Sequence, residues 1–327
     1  MSELLGKKVK LFTLSANREL AQEIAESIGI ELGECEVKRF ADGEVNVSVK
    51  ETVRGHHVFV VQPTTSPVNE HLMELLIMCD ALKRASAQSI NLIIPYYGYC
   101  RQDRKSRSRE PITAKLVADL LQAAGASRVI AMDLHAAQIQ GFFNIPIDNF
   151  LGLPIIVNYL LDKKFEDIVV VSPDHGGAVR AREFGKVLNA PIAIIDKRRP
   201  EPNKAEVMNI VGEVKGKTCI IVDDICDTAG TLAAAANALV NAGAKEVYAA
   251  CTHGLLNGPA IQRIADSAIK EMIITNTVRL AEEKKHEKIV QLSVGSLLGH
   301  GILRILSDEP LSGLFTYSYD ASKREQL

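Results

Sequence analysis

The chain lacks tryptophan, a CxxC pair, a long apolar run and a large charge of either sign. The missing tryptophan excludes nothing by itself. The six cysteines, at 35, 79, 100, 219, 226 and 251, are not spaced as zinc ligands or as a redox pair, and several sit in apolar runs. With no signal-peptide pattern at the start, they are expected to be reduced thiols of a cytoplasmic protein. No apolar run has the length needed to cross a bilayer. The net charge of −2 argues for neither nucleic acid nor an anionic membrane as a partner, so any anion binding must come from local basic clusters. Neither a GxGxxG dinucleotide fingerprint nor a GxSxG nucleophile elbow is present. Gly216, Lys217 and Thr218 look like the end of a P-loop, but Gly212 lies one residue too close and the segment precedes a strand.

What is present is a repeated order of elements. With 327 residues, 47% of them hydrophobic, the chain can build two domains with substantial cores. Apolar runs of strand length alternate with helical patterns, which predicts an α/β fold with mainly parallel sheets flanked by helices. In the first half, strands are expected at 9–14, 58–61, 90–94 and 129–132, and helices at 17–28, 69–84 and 112–123. In the second half, strands are expected at 168–171, 218–222, 247–251 and 272–275, and helices at 178–188, 232–240 and 260–268. Each half makes a basic excursion after its first strand and helix, at 37–44 and 196–203. The halves read as divergent copies, with domains at 1–150 and 151–327.

The chemistry concentrates in the second half. The strand at 218–222 ends in Asp223 and Asp224, and a loop with Asp227, Thr228, Ala229, Gly230 and Thr231 leads into an Ala-rich helix. Exposed N–H groups at such a helix start, with its dipole, favour a phosphate. The hydroxyls of Thr228 and Thr231 add donors, and the paired carboxylates suit the vicinal hydroxyls of a sugar. The same pattern also serves as an ordinary βα turn in which Asp227 or Thr228 caps the helix. The first half has Gln62 to Pro67 at the matching position, without glycine or acid, so one sugar-phosphate site per chain is expected.

Further segments offer charge where a phosphoryl group would need it. Asp174, in the SPDHGG segment at 172–177, is placed to ligate Mg²⁺ at a helix mouth, and Arg180 and Arg182 follow. Lys197 and Arg199 alternate in a connection with two prolines, where an extended backbone turns both cations to one face as a lid. Five cations lie between Arg101 and Arg109, which fits an anionic nucleotide or an intersubunit phosphate better than nucleic acid. His135 ends the strand at 129–132, where a metal role and a structural role are both open.

Taken together, these segments resemble a known family. The run from Val222 to Thr231 resembles the phosphoribosyl-pyrophosphate loop of the type I phosphoribosyltransferase fold. Phe40-Ala-Asp-Gly-Glu44, the segment 95–104, Asp174 with its glycines, the Lys197 segment and the segment 133–143 are similar to those of the ribose-phosphate pyrophosphokinase family. The resemblance runs from about Val9 to Leu298. It implies two tandem phosphoribosyltransferase-like domains and transfer of the diphosphoryl group of ATP to ribose 5-phosphate with Mg²⁺. It further implies that Phe40, Asp42, Gly43, Glu44, Arg101 and Gln102 bind ATP, and that His135 and Asp174 bind the metal. Asp223, Asp224 and the stretch from Asp227 to Thr231, with Arg199, would hold ribose 5-phosphate, and Lys197 and Arg199 would be catalytic. Members of the family commonly form homohexamers activated by phosphate and inhibited by ADP. Cys100, Cys226 and Gly254 depart from its usual residues. The Cys226 side chain is expected to point away from the phosphate, and Gly254 to loosen the turn after His253.

Overall fold

The computed structural model describes residues 3–198 and 207–314. They form two compact units. The first holds 3–151, 277–279 and 293–314, and the second holds 152–276 and 280–292.

The first unit begins with β1 (Glu3–Leu4), β2 (Lys7–Thr13) and α1 (Arg18–Ile28). The Asn17 side chain accepts the Leu20 N–H and starts the helix, and Gly29, at φ 71°, ends it. An antiparallel hairpin follows, β3 (Cys35–Arg39) and β4 (Val45–Val49). Then come β5 (His57–Val61), α2 (Val68–Arg84), β6 (Ser89–Ile94), α3 (Thr113–Ala124), β7 (Arg128–Met132) and β8 (Ile147–Phe150). The main sheet has the order β1-β2-β5-β6-β7-β8, parallel except where the two-residue β1 pairs with β2. Central strands such as β5 are buried on both faces, as helices on each side of a parallel sheet require.

The second unit contains α4 (Leu153–Asp162), β9 (Ile168–Ser172), α5 (Ala178–Leu188), β10 (Ile192–Arg198) and β11 (Val207–Val211). It continues with β12 (Thr218–Cys226), α6 (Gly230–Asn241), β13 (Glu246–Gly254), α7 (Ala260–Asp266), β14 (Ile269–Thr275) and β15 (Ile289–Leu292). The seven-stranded sheet runs β11-β10-β9-β12-β13-β14-β15, parallel except for the antiparallel β10–β11 pair. One face is packed by Leu232, Ala235, Ala236 and Leu239 of α6 over Val169, Ile221 and Ala249.

Three sequence expectations change. The second domain does not run unbroken to the chain end, because α8 (Gly295–Ser307) belongs to the first unit. Its glycines allow a close approach there: a Cβ at Gly299 would lie 1.9 Å from Ser27 Oγ on α1, and one at Gly301 would lie 2.7 Å from the Phe150 ring. The strand expected to stop at 222 runs through Asp223 and Asp224 to Cys226, because β13 also continues and pairs Ile225 with His253 and Cys226 with Gly254. Gly254 is therefore the last residue of a strand and does not loosen a turn; a Cβ there would lie 2.8 Å from Ile274 Cδ1.

Candidate active site

Parallel sheets of this kind place ligands at the carboxyl ends of their strands. In the second unit the loops that follow two of these strands, β9 and β12, converge on one cavity of about 170 Å³. Asp174 lines it from the β9 loop; Asp223 and the residues from Ile225 to Leu232 line it from β12 and the start of α6.

The start of α6 is open to a ligand. Ala229 stands at the N-cap with φ 56°, and no side chain accepts a hydrogen bond from the first helical N–H groups. The sequence left a cap by Asp227 or Thr228 open, and the structure uses neither. The first turn of any helix carries donors without partners in the helix, and a left-handed non-glycine residue costs about 1 kcal/mol or more. The loop is held in this conformation from behind. Asn257 donates through Nδ2 to Asp227 Oδ1 at 2.9 Å and through its N–H to the Asp227 carbonyl at 2.8 Å. Arg263 Nη1 donates to the Thr228 carbonyl at 3.0 Å.

Asp223 and Asp224 sit against each other at the end of β12, with the Asp224 N–H donating to Asp223 Oδ1 at 2.9 Å. Arg180 on α5 reaches both carboxylates, at 3.4 and 3.3 Å. Burial and the neighbouring Asp224 push the Asp223 carboxyl up to about 7, and Arg180 opposes the shift. A vicinal diol or a cation at this pair would give the second negative charge a partner.

Asp174 is exposed, and its Oδ1 accepts the Gly177 N–H at 2.9 Å. Ser172 Oγ donates to the Asp174 carbonyl at 2.6 Å, and His175 Nε2 lies 2.9 Å from Asp196 Oδ1 on β10. Lys197 is a strand residue, paired with Met208 of β11, rather than a loop residue. Arg199 lies outside the described residues. Cys226 is 2% exposed and belongs to the core cluster of the second unit, while also lining the cavity.

The remaining expected site residues lie in the first unit. Phe40, Asp42, Gly43 and Glu44 form the tip of the β3–β4 hairpin, closed by the Phe40 N–H donating to the Glu44 carbonyl and the Gly43 N–H to the Phe40 carbonyl. Gly43 has φ 95°, and the Glu44 N–H donates to Asp42 Oδ1 at 3.1 Å. Phe40 is 56% exposed, a large apolar ring left to solvent. Arg101 and Gln102 lie in the turn after β6, where Gln102 accepts from Thr113 Oγ1 and, through its carbonyl, from the Ala114 N–H. His135 follows β7 in an exposed turn tied to β8 by the Asp133 and Leu134 N–H groups. Among the described residues, no group of three or more His, Cys, Asp and Glu could hold a metal, and no helix is long and apolar enough to cross a membrane.

Sequence reasoning missed the Asn257 and Arg263 supports, which reach the loop from 30 and 35 residues away. It noted Arg180 only as a nearby cation. Three residues into a helix that follows a strand end is a position from which a side chain can reach back to the loops, and that was the available signal.

A model of the N-terminal domain of ribose phosphate pyrophosphokinase matches residues 9–125, and the phosphoribosyl synthetase-associated domain matches residues 198–316. The chain is 64% identical to a ribose-phosphate pyrophosphokinase of Bacillus caldolyticus, covering 94% of this chain and 98% of that one. It is 62% identical to the enzyme of that name from Bacillus subtilis, covering 97% and 100%. A crystal structure of phosphoribosylpyrophosphate synthetase from Mycobacterium smegmatis superposes with a TM-score of 0.89 at 44% identity, covering 92% of this chain and all of that one. The chain belongs to the ribose-phosphate pyrophosphokinase family.

Proposed function

We propose that this chain transfers the diphosphoryl group of ATP to the 1-hydroxyl of ribose 5-phosphate, giving 5-phosphoribosyl 1-diphosphate and AMP for nucleotide biosynthesis. The observation that carries the reading is the cavity in which the uncapped start of α6, Asp223 and Asp174 meet, with Asp224 directly beside Asp223. The helix N–H groups, with Thr228 and Thr231, take the 5-phosphate. Asp223 and Asp224 take the ribose hydroxyls, which leaves the sugar's C1 end for the reaction. The 1-hydroxyl oxygen bonds to the β-phosphorus, the bond from that phosphorus to the α-phosphate oxygen breaks, AMP leaves and the hydroxyl proton is lost.

Such a transfer needs positioning and charge neutralisation more than a covalent nucleophile. Lys197 and Arg199 supply cations to the moving diphosphoryl group. Phe40 offers a ring face to the adenine, Asp42, Gly43 and Glu44 shape the hairpin tip around the nucleoside, and Arg101 and Gln102 contact the nucleotide. Mg²⁺ is held by one or two carboxylates together with water and substrate phosphates, so it does not require a cluster of three protein ligands. Asp174 fits this role beside a carboxylate pair that is short of positive charge. The family resemblance also implies a metal-binding role for His135. A magnesium ion held there would supply charge neutralisation to the substrate phosphates. The family resemblance further implies a homohexamer, activation by phosphate, inhibition by ADP and a cytoplasmic location.

The test is direct. Protein mixed with ATP, ribose 5-phosphate and Mg²⁺ is expected to form AMP and 5-phosphoribosyl 1-diphosphate in equal amounts. Folded protein that forms neither overturns the reading.

A further inference from the structure

We propose that Arg39 is a positioning residue for ATP: anchored by Glu74 and Glu70 of α2, it sets where the β3–β4 hairpin presents Phe40, Asp42 and Glu44. This rests on the nucleotide role assigned to that hairpin above.

The hairpin needs an anchor because its own sheet is small. β3 and β4 form a two-stranded sheet of their own, and its ties to β2 lie at its base, where Leu11 bridges Leu32 and Cys35 Sγ donates to the Thr13 carbonyl at 3.2 Å, far along the strands from the Phe40 tip. An isolated two-stranded hairpin is marginally stable at best. Its tip nevertheless carries an exposed aromatic ring that must be held at a fixed place to stack on a base.

Arg39, the residue before Phe40, provides the link. Its Nε and Nη2 donate to Glu70 Oε2 at 3.1 and 3.0 Å, and Nη2 also donates to Glu74 Oε1 at 3.0 Å. Glu74 is fully buried, so a charge there is costly unless it is paired and hydrogen-bonded. Its other oxygen, Oε2, accepts from Ser15 Oγ at 2.5 Å and from Gln62 Nε2 at 2.9 Å. Gln62 Oε1 in turn accepts the Ala16 N–H at 3.1 Å. Glu74 thus joins the loop after β2, the loop after β5 and the hairpin. Through Arg39 the hairpin tip is referenced to the rigid end of the sheet. A planar guanidinium that binds two carboxylates fixes direction as well as distance, which a lysine ammonium does not.

The test uses the full-length protein and compares Arg39→Ala, Arg39→Lys and Phe40→Ala. Each is assayed for KM of ATP, KM of ribose 5-phosphate, kcat and melting temperature. For Arg39→Ala, the ATP KM is expected to rise about tenfold while the ribose 5-phosphate KM stays within about twofold. Arg39→Lys should recover part of the loss, and the melting temperature should fall too little to explain it. An Arg39→Ala protein with unchanged ATP KM, or with both KM values raised together, overturns the proposal. Phe40→Ala separates the two levels. If Phe40→Ala raises the ATP KM and Arg39→Ala does not, the nucleotide reading stands and the anchor fails. If Phe40→Ala leaves the ATP KM unchanged in an active enzyme, the hairpin reading fails and takes the anchor with it.

Discussion

The two units share an order of strands and helices, yet they treat the loops after β5 and β12 in opposite ways. After β12 the chain holds an uncapped helix start around a cavity, and the supports of Asn257 and Arg263 lie behind the loop. After β5 the corresponding region is closed by its own side chains. Gln62 donates to buried Glu74 and accepts from Ala16, and Thr64 Oγ1 accepts the Gly98 N–H at 2.6 Å. One loop leaves polar groups for a ligand, and the other satisfies them internally. A duplicated fold therefore need not carry a duplicated site; what decides is whether polar groups at the strand ends are left for a ligand.

The hairpins differ in the same spirit. In the second unit β10 pairs with β9 and so extends the sheet, and Lys197 lies on β10. In the first unit β3 and β4 form a separate two-stranded sheet, which Arg39 links to Glu70 and Glu74 of α2.

The largest effect expected is on Lys197. If its hairpin belongs to catalysis, Lys197→Ala should lower kcat by about 10³-fold with both KM values changed little, as for loss of a cation that acts on the transition state. Steady-state kinetics check this, and near-normal turnover would remove Lys197 from the mechanism.

The open loop is tested next. Asp223→Asn and Asp224→Asn should each raise the ribose 5-phosphate KM by about 10- to 100-fold, through loss of charge-assisted hydrogen bonds, and leave the ATP KM nearly unchanged. Exchange of Gln62 for Ala in the closed loop should cost stability instead, about 1–3 kcal/mol, because it leaves Glu74 and the Ala16 N–H short of partners. Denaturant unfolding reads that cost.

A pair of glycines compares the two units sterically. A Cβ at Gly98 would lie 2.5 Å from the Thr64 carbonyl oxygen, a backbone atom, whereas one at Gly254 would lie 2.8 Å from the end of the Ile274 side chain. Gly254→Ala should cost about 1–3 kcal/mol as overpacking, and Gly98→Ala should cost more, because side chains move more readily than backbone. Equal losses in melting temperature would contradict this.

The smallest effect concerns pH. Asp223 is held up to about 7 in the folded chain by burial and Asp224. Below that value it carries a proton and cannot act as a carboxylate toward the sugar hydroxyls. The ribose 5-phosphate KM should therefore fall several-fold as pH rises from about 6 to about 8, and Asp223→Asn should flatten this dependence. The same shift has the opposite sign for stability. The folded state binds the proton more tightly than the unfolded chain, so this group's contribution declines as pH rises from about 4 through about 7.

Much of this was legible in the chain. The alternation of apolar runs located the central strands, because a strand buried on both faces must be apolar throughout. The strand–loop–helix order from Asp223 to Thr231 was legible because it depends on local sequence: apolar strand, small residues, helix. The length of β12 was not legible. Two adjacent acids look like the end of a strand, and only pairing with β13 carries the ladder past them. The Glu74 network was hidden for a similar reason, since its members at 15, 39, 62 and 74 have no local pattern in common.

The sequence by itself determined the α/β class, the doubling of the fold and the family of the chain. Each follows from periodicity or from residue types close together along the chain. Only the tertiary structure decided that α8 belongs to the first unit, that Arg180 spans the two aspartates and that Glu74 ties the hairpin to the sheet. Those outcomes rest on contacts between segments tens to hundreds of residues apart. Their energy comes from burial and from pairing that burial makes necessary, and neither is encoded in any one stretch of residues.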